Sequence, residues 1–172
     1  MERIDVGQPF TVIVDFAHTP NALKVTLEAA KGMLPGRGGS RSAPTMPRVI
    51  AVFGSAGLRD KAKRRMMAET AAELADFSIL TAEDPRTESL EGILTEMAQG
   101  AIFQGGVEGE TFSREPDRAQ AIRNSVRMAR AGDVVIICGK GHEQSMAYGK
   151  IEYAWDDREA MRQHLGTALA AR

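Results

Sequence analysis

The chain has 172 residues, with 22 Lys+Arg against 23 Asp+Glu, a formal net charge of -1 and 43% hydrophobic residues. That apolar share supports a buried core and excludes an extended disordered chain, while so even a charge balance excludes a duplex-binding protein built on a broad basic face. A lone cysteine, Cys138, cannot close an internal disulfide, and no apolar run approaches the ~20 residues of a membrane-spanning helix, so neither nucleic acid nor membrane is an expected partner and a cytoplasmic location is expected.

Met1-Glu2-Arg3-Ile4-Asp5 is charged where a secretory leader would be apolar. Residues 11–15, Thr-Val-Ile-Val-Asp, form a β-branched run that reads as a strand. His18-Thr19-Pro20-Asn21 ends it and opens a helix through Ala22, Leu23, Val25, Leu27 and Ala30; Pro20 fits the first turn, where its missing N–H would have no partner anyway. Residues 35–47, rich in Gly, Ser, Pro and Arg, carry no apolar period and read as a surface connection.

Residues 48–54 are almost wholly apolar, as a central parallel strand requires. A turn at residues 54–57 leads to a helix over about 60–75, with Met66, Met67, Thr70, Ala71 and Leu74 on its inner face. A strand over 77–81 follows, then Leu90, Ile93, Leu94, Met97, Ala98 and Ala101 at helical spacing. A short strand near 110–112, a helix opened by Pro116, and a second strongly apolar strand over 133–138 come next. A hairpin-like segment at 150–154 precedes a last helix starting near Asp156, with Glu159 placed as in a capping box.

Strands and helices thus alternate, which predicts an α/β fold: a Rossmann-like, mostly parallel sheet with helices on both faces. Ligands of such sheets bind beyond the carboxyl ends of the strands. Four unusual polar segments lie at those ends: residues 15–20, 54–60, 83–86 and 139–143.

Gly54-Ser55-Ala56-Gly57-Leu58-Arg59-Asp60 has the makings of an anion-binding turn before a helix, with Arg59 offering a two-pronged grip on a carboxylate or phosphate. The same glycines could serve only a tight turn, with Arg59 solvated. Glu83-Asp84-Pro85-Arg86 sets two carboxylates and a guanidinium around a proline, suiting either an amino acid's two charged ends or a solvated helix entry. In Gly139-Lys140-Gly141-His142-Glu143 the adjacent His142 and Glu143 lack metal-ligand spacing, so no metal site is expected. Asp15, Phe16 and His18 could meet a nucleotide, or Asp15 could simply accept local backbone amides. Lys61, Lys63, Arg64 and Arg65 form a basic cluster, ordinarily a solvated helix face, which beside an anion-binding turn would also raise the local potential.

Taken together, the four segments resemble the carboxyl-terminal domain of the Mur ligases, of the type that adds the third residue to the peptidoglycan precursor. The family's asp-tyr/phe-ala-his-x-pro is similar to Asp15-Phe16-Ala17-His18-Thr19-Pro20. Its phe-gly-x-gly-gly-x-arg-asp-x-x-lys-arg is similar to residues 53–64, and its gly-lys-gly-his-glu stands intact at 139–143. The likeness runs in order from about Gln8 to Leu165, so residues 1–172 are expected to be one such domain.

The resemblance implies an ATP- and Mg2+-using ligase that joins UDP-N-acetylmuramoyl-L-alanyl-D-glutamate to a diamino acid through an acyl phosphate. Carried over by position, Arg59, Asp84, Arg86, Gly139 and Glu143, with Glu83 and Pro85 less firmly matched, would bind the amino acid. Asp15 and His18, and more weakly Phe16, would face the nucleotide. The chain contains no P-loop, so its expected partners include a sugar-nucleotide-binding and a central ATP-binding domain of the same polypeptide, and it is expected not to ligate alone.

Members that add diaminopimelate carry asp-asn-pro-arg where this chain has Glu83-Asp84-Pro85-Arg86. Arg86 favours a distal carboxylate; Asp84 would repel it unless an ion pair with Arg86 cancels the charge. The expected amino acid is meso-diaminopimelate, with lysine or ornithine as alternatives. Two competing readings are a stand-alone binding module for a nucleotide or amino acid and a folylpolyglutamate synthase-type ligase.

Overall fold

The computed structural model describes residues 1–34 and 46–170. In chain order its elements are β1 (Glu2–Ile4), β2 (Thr11–Asp15), α1 (Pro20–Gly32), β3 (Val49–Phe53), α2 (Lys61–Leu74), β4 (Phe77–Leu80) and α3 (Leu90–Phe103). Then follow β5 (Phe112–Arg114), α4 (Arg118–Met128), β6 (Val134–Cys138), β7 (Ser145–Tyr148), β8 (Ile151–Ala154) and α5 (Asp157–Ala170).

Strands β1 to β6 form one sheet in the order β1-β2-β6-β3-β4-β5, parallel throughout except for β1, which runs antiparallel to β2. The central strands β3 and β6 are buried along their whole length, as their continuous apolar runs predict. Their side chains alternate between two cores. Ala51, Phe53, Ile136 and Cys138 face α1, α2 and α3 through Leu27, Met67 and Met97, while Ile50, Val52, Val135 and Ile137 face α4 and α5 through Ile122, Met161 and Leu165. Side-chain oxygens of Thr19, Asp60, Ser89 and Asp117 cap the amino ends of α1 to α4.

Strand β6 lies between β2 and β3. The chain leaving β2 and β3 enters helices of one layer; the chain leaving β6 runs through the antiparallel β7–β8 hairpin to α5 in the other. Connections diverging to opposite faces open a crevice over the carboxyl end of β6.

Several expectations change. Strand β1 was not anticipated, because only Ile4 of its three residues is buried. The strand expected near 110–112 begins at Phe112, after a turn in which the Gly109 amide bonds to the Phe112 carbonyl (2.9 Å would be ordinary; here 2.7 Å). Met66 points to solvent, and the inner stripe of α2 is Arg64, Met67, Ala68 and Ala71. Most of the connection expected over 35–47 lies outside the described residues. Among the described residues no helix is long and apolar enough to cross a membrane.

Candidate functional site

The crevice is a cleft of about 360 Å³ that gathers residues from all four strand ends. Phe16 and His18 follow β2, Arg59 and Lys63 come from the turn into α2 and its first turn, Glu83, Asp84 and Arg86 follow β4, and Gly139 and Glu143 follow β6. Asp15 and Pro85 do not line it.

Backbone proximity explains two of the glycines. A Cβ on Gly54 would lie 2.5 Å from the Thr81 carbonyl oxygen, and one on Gly57 would lie 1.9 Å from that of Pro85. The β3-end and β4-end loops therefore touch main chain to main chain, and the Gly57 amide donates to the Asp84 carbonyl (2.9 Å). Arg64 is buried beneath this turn. It donates to Glu88 through both Nη atoms (2.7 and 2.6 Å) and to Glu96 (2.9 Å), while Glu88 also accepts the Leu58 amide (2.8 Å). Arg64 thus leaves the solvated basic cluster and supports the turn that presents Arg59, itself exposed at the cleft.

The β4-end loop holds two non-glycine residues in the left-handed region, Asp84 (φ 40°) and Arg86 (φ 53°), a costly conformation that recurs at functional sites. It turns their side chains apart. Asp84 Oδ1 accepts from Lys140 Nζ and from the Ala147 amide, both at 2.9 Å, whereas Arg86 Nη1 donates to the Gly57 carbonyl (2.9 Å). The charge on Asp84 is therefore offset by Lys140, not by the ion pair with Arg86 that adjacency suggests.

Glu83 is buried, and its Oε2 has no hydrogen-bond partner. Burial pushes its carboxyl above the usual carboxylate range; the neighbouring Asp84 adds to that, while Arg118, Lys63 and Lys140 pull it back. Gly139 (φ 115°) packs against it, a Cβ there falling 3.3 Å from Glu83 Cγ. Lys140 also pairs with Glu143 Oε2 (2.8 Å). Burial alone would lower the Lys140 pKa, but Glu143 and Asp84 outweigh it and leave it raised.

At the β2 end, Asp15 accepts the Ala17 amide (2.9 Å) and the Thr26 hydroxyl (3.3 Å) through Oδ1, and its Oδ2 meets the Met1 amino group (3.0 Å). In this structure it shapes the turn. Half-exposed Phe16 lies between two imidazoles, with ring centroids 4.5 Å from His18 and 5.3 Å from His142, and presents a flat surface at the rim of the cleft. Gly141 (φ 54°) permits this, since a Cβ there would sit 2.8 Å from Phe16 Cα.

Residue-by-residue reasoning missed Lys140 and Arg118, whereas Lys63 of the basic cluster does reach the cleft. The first lies inside the intact gly-lys-gly-his-glu segment, which was the available signal; no local pattern marks Arg118, whose partners are distant in sequence. As to magnesium, among the described residues no group of three or more His, Cys, Asp or Glu side chains converges on a point that would hold a cation, so no metal-bound step is assigned to these residues.

The family model described as "Mur ligase, glutamate ligase domain" matches residues 1–141. A UDP-N-acetylmuramyl-tripeptide synthetase of Roseiflexus sp. is 46% identical over 165 residues, covering 96% of this chain and 30% of that protein. A UDP-N-acetylmuramoyl-L-alanyl-D-glutamate--2,6-diaminopimelate ligase of Fusobacterium nucleatum is 39% identical, covering 95% of this chain and 31% of its own length. A solved structure of a ligase of that same description superposes with a TM-score of 0.82 at 33% identity, over 98% of this chain and 31% of that one. The chain thus spans about a third of the length of the relatives it matches, and by sequence and fold alike it belongs to the Mur ligase family, as a glutamate ligase domain.

Proposed function

We propose that this chain is the amino-acid-presenting domain of a cytoplasmic, ATP-dependent ligase that adds a diamino acid, meso-diaminopimelate, to UDP-N-acetylmuramoyl-L-alanyl-D-glutamate in peptidoglycan synthesis. The observation that carries the reading is the meeting of opposite charges in one cleft: Arg59, Lys63 and Arg86 against Asp60, Glu83, Asp84 and Glu143. A diamino dicarboxylic acid bears two carboxylates and two amines and needs such a lining.

In the reaction, the D-glutamyl carboxylate takes the γ-phosphoryl group of ATP and releases ADP. The incoming amine then attacks the acyl carbon, the C–O bond to phosphate breaks, the amine sheds a proton, and an amide and inorganic phosphate result. Positioning and charge stabilisation supply catalysis of this kind. Here Arg59 and Arg86 hold carboxylates by charge-assisted hydrogen bonds, and Glu143 Oε1, with Oε2 occupied by Lys140, receives an ammonium. The Phe16–His18 surface faces the nucleotide.

Three features favour diaminopimelate over lysine or ornithine. Arg86 is retained, Lys140 offsets the charge of Asp84, and the Fusobacterium relative is named for 2,6-diaminopimelate. The test is a ligation assay on the polypeptide that carries this chain, with ATP, the UDP-sugar dipeptide and each amino acid in turn. Phosphate release with diaminopimelate is expected, as is a raised KM for it in Arg86→Ala; a clear preference for lysine or ornithine would overturn the choice of substrate.

A further inference from the structure

Lys140 occupies an unusual place. Its side chain is 2% exposed and does not line the cleft, yet its two partners, Asp84 and Glu143, both do. It joins the loop after β4 to the loop after β6, and Asp84 Oδ1, shared with the Ala147 amide, carries the tie on to β7. The two acids and this ammonium sum to one negative charge where the acids alone would give two. We propose that Lys140 is a specificity-determining positioning residue: by holding Asp84 and Glu143 on one buried ammonium it lets the cleft accept a diamino acid that carries a second carboxylate.

This inference rests on the proposed amino-acid cleft and deepens it. A distal carboxylate drawn to Arg86 enters a cleft that Asp84, two residues away on the same loop, also lines. With Lys140 against Oδ1, the field of Asp84 is largely cancelled at that approach; without it, the carboxylate meets an uncompensated charge in a partly desolvated site. A diamino acid with a single carboxylate presents only an ammonium at that end, which Asp84 attracts and does not repel. Lys140 therefore acts on the ratio between the two ligand classes, whereas a purely structural tie would weaken both alike.

The experiment is an NMR titration of the 172-residue chain with meso-diaminopimelate and, separately, with L-lysine. In Lys140→Met the ratio of the diaminopimelate Kd to the lysine Kd should rise about tenfold, and Lys140→Arg, which keeps the charge, should hold the parent ratio. In the Asp84→Asn background, where there is no charge to offset, Lys140→Met should leave the ratio nearly unchanged; if Lys140→Met alone does not fold, Lys140→Gln, which keeps a donor to Asp84 but removes the charge, should raise the ratio in the same way. Equal weakening of both ligands by Lys140→Met, or an undiminished effect in the Asp84→Asn background, overturns the role of Lys140 while leaving the cleft as proposed. Failure of the unsubstituted chain to bind either amino acid overturns the cleft assignment and this inference with it.

Discussion

Arg118 and Asp157 form a two-point ion pair, Nε to Oδ1 and Nη2 to Oδ2, both at 2.7 Å, with both side chains buried. Two further N–H groups of the guanidinium donate to carbonyls, those of Ala82 and Cys138, each at 2.9 Å. Those residues immediately precede Glu83 and Gly139. The first residues of α4 and α5 thus brace, from below, the two strand ends that floor the cleft.

Removing one partner of such a pair leaves the other charged and buried. Arg118→Met should cost about 3–5 kcal/mol in urea unfolding, since it strands Asp157 and two carbonyls together. Asp157→Leu should cost a similar amount, and the double variant should recover a substantial part of the sum. Strictly additive losses would show that the two residues do not act as a unit.

The support under Arg59 should be acid-labile. Arg64, chiefly through its hydrogen bonds, and the Leu58 amide hold the Glu88 carboxyl down from 4.5 to about 2, and Arg158 likewise holds Asp156 at about 2. A carboxyl depressed in the folded state contributes stability that is fully present above its unfolded value and lost as pH falls through its folded one. The melting temperature should therefore fall as pH is lowered from 4.5 towards 2, and Glu88→Gln should flatten part of that slope. An unchanged slope in the variant would mean that the Arg64–Glu88 contact does not persist in solution.

Glu83 works in the opposite sense. Its carboxyl is raised by burial, so the folded state holds its proton more tightly than the unfolded chain does, and stability is lost as pH rises above the ordinary carboxylate range. Between pH 4 and pH 8 the stability of Glu83→Gln relative to the parent should shift in the variant's favour, read from unfolding midpoints at each pH. A buried carboxyl with an unpartnered oxygen costs the fold stability and is expected where a ligand supplies the partner, so the same variant should bind a diamino acid more weakly. A stability difference that does not vary with pH would count against a raised carboxyl.

What the sequence made legible follows from the range of the forces involved. Strands β3 and β6 could be read because burial on both faces demands an unbroken apolar run, and the four site segments because a parallel sheet sends its polar loops to the strand ends. Arg64, Arg118 and Lys140 could not be read as buried. Their burial depends on carboxylates at Glu88 and Glu96, Asp157, and Asp84, each at least 24 residues away; only Lys140 has a local partner as well, Glu143 three residues on. Asp84 and Arg86 invited an ion pair by adjacency; two left-handed residues in the loop turned them away from each other. Register, too, depends on partners: Met66 fits an apolar stripe as well as its neighbour does until Arg64 finds its acids and rotates the stripe to 64, 67, 68 and 71.

The main-chain contact between Gly57 and the Asp84–Arg86 loop carries the last prediction. Gly57 donates to the Asp84 carbonyl and accepts from Arg86 Nη1, so it sets the spacing between Arg59 and Arg86. A methyl group at Gly57 would meet Pro85 main-chain atoms at 1.9 and 2.7 Å, which no side-chain rotation relieves, and the two loops must separate. Gly57→Ala should therefore cost about 1–3 kcal/mol and also weaken diamino-acid binding at temperatures where the variant is fully folded. Gly166→Ala is the matched control: its Cβ would enter open space on an exposed stretch of α5, where replacing glycine by alanine should stabilise by about 0.5–1 kcal/mol. Thermal unfolding and the diaminopimelate titration on both variants separate the two effects. A Gly57→Ala chain that melts and binds like the parent would show that the loops after β3 and β4 are not in contact in solution, and that Arg59 and Arg86 are positioned independently.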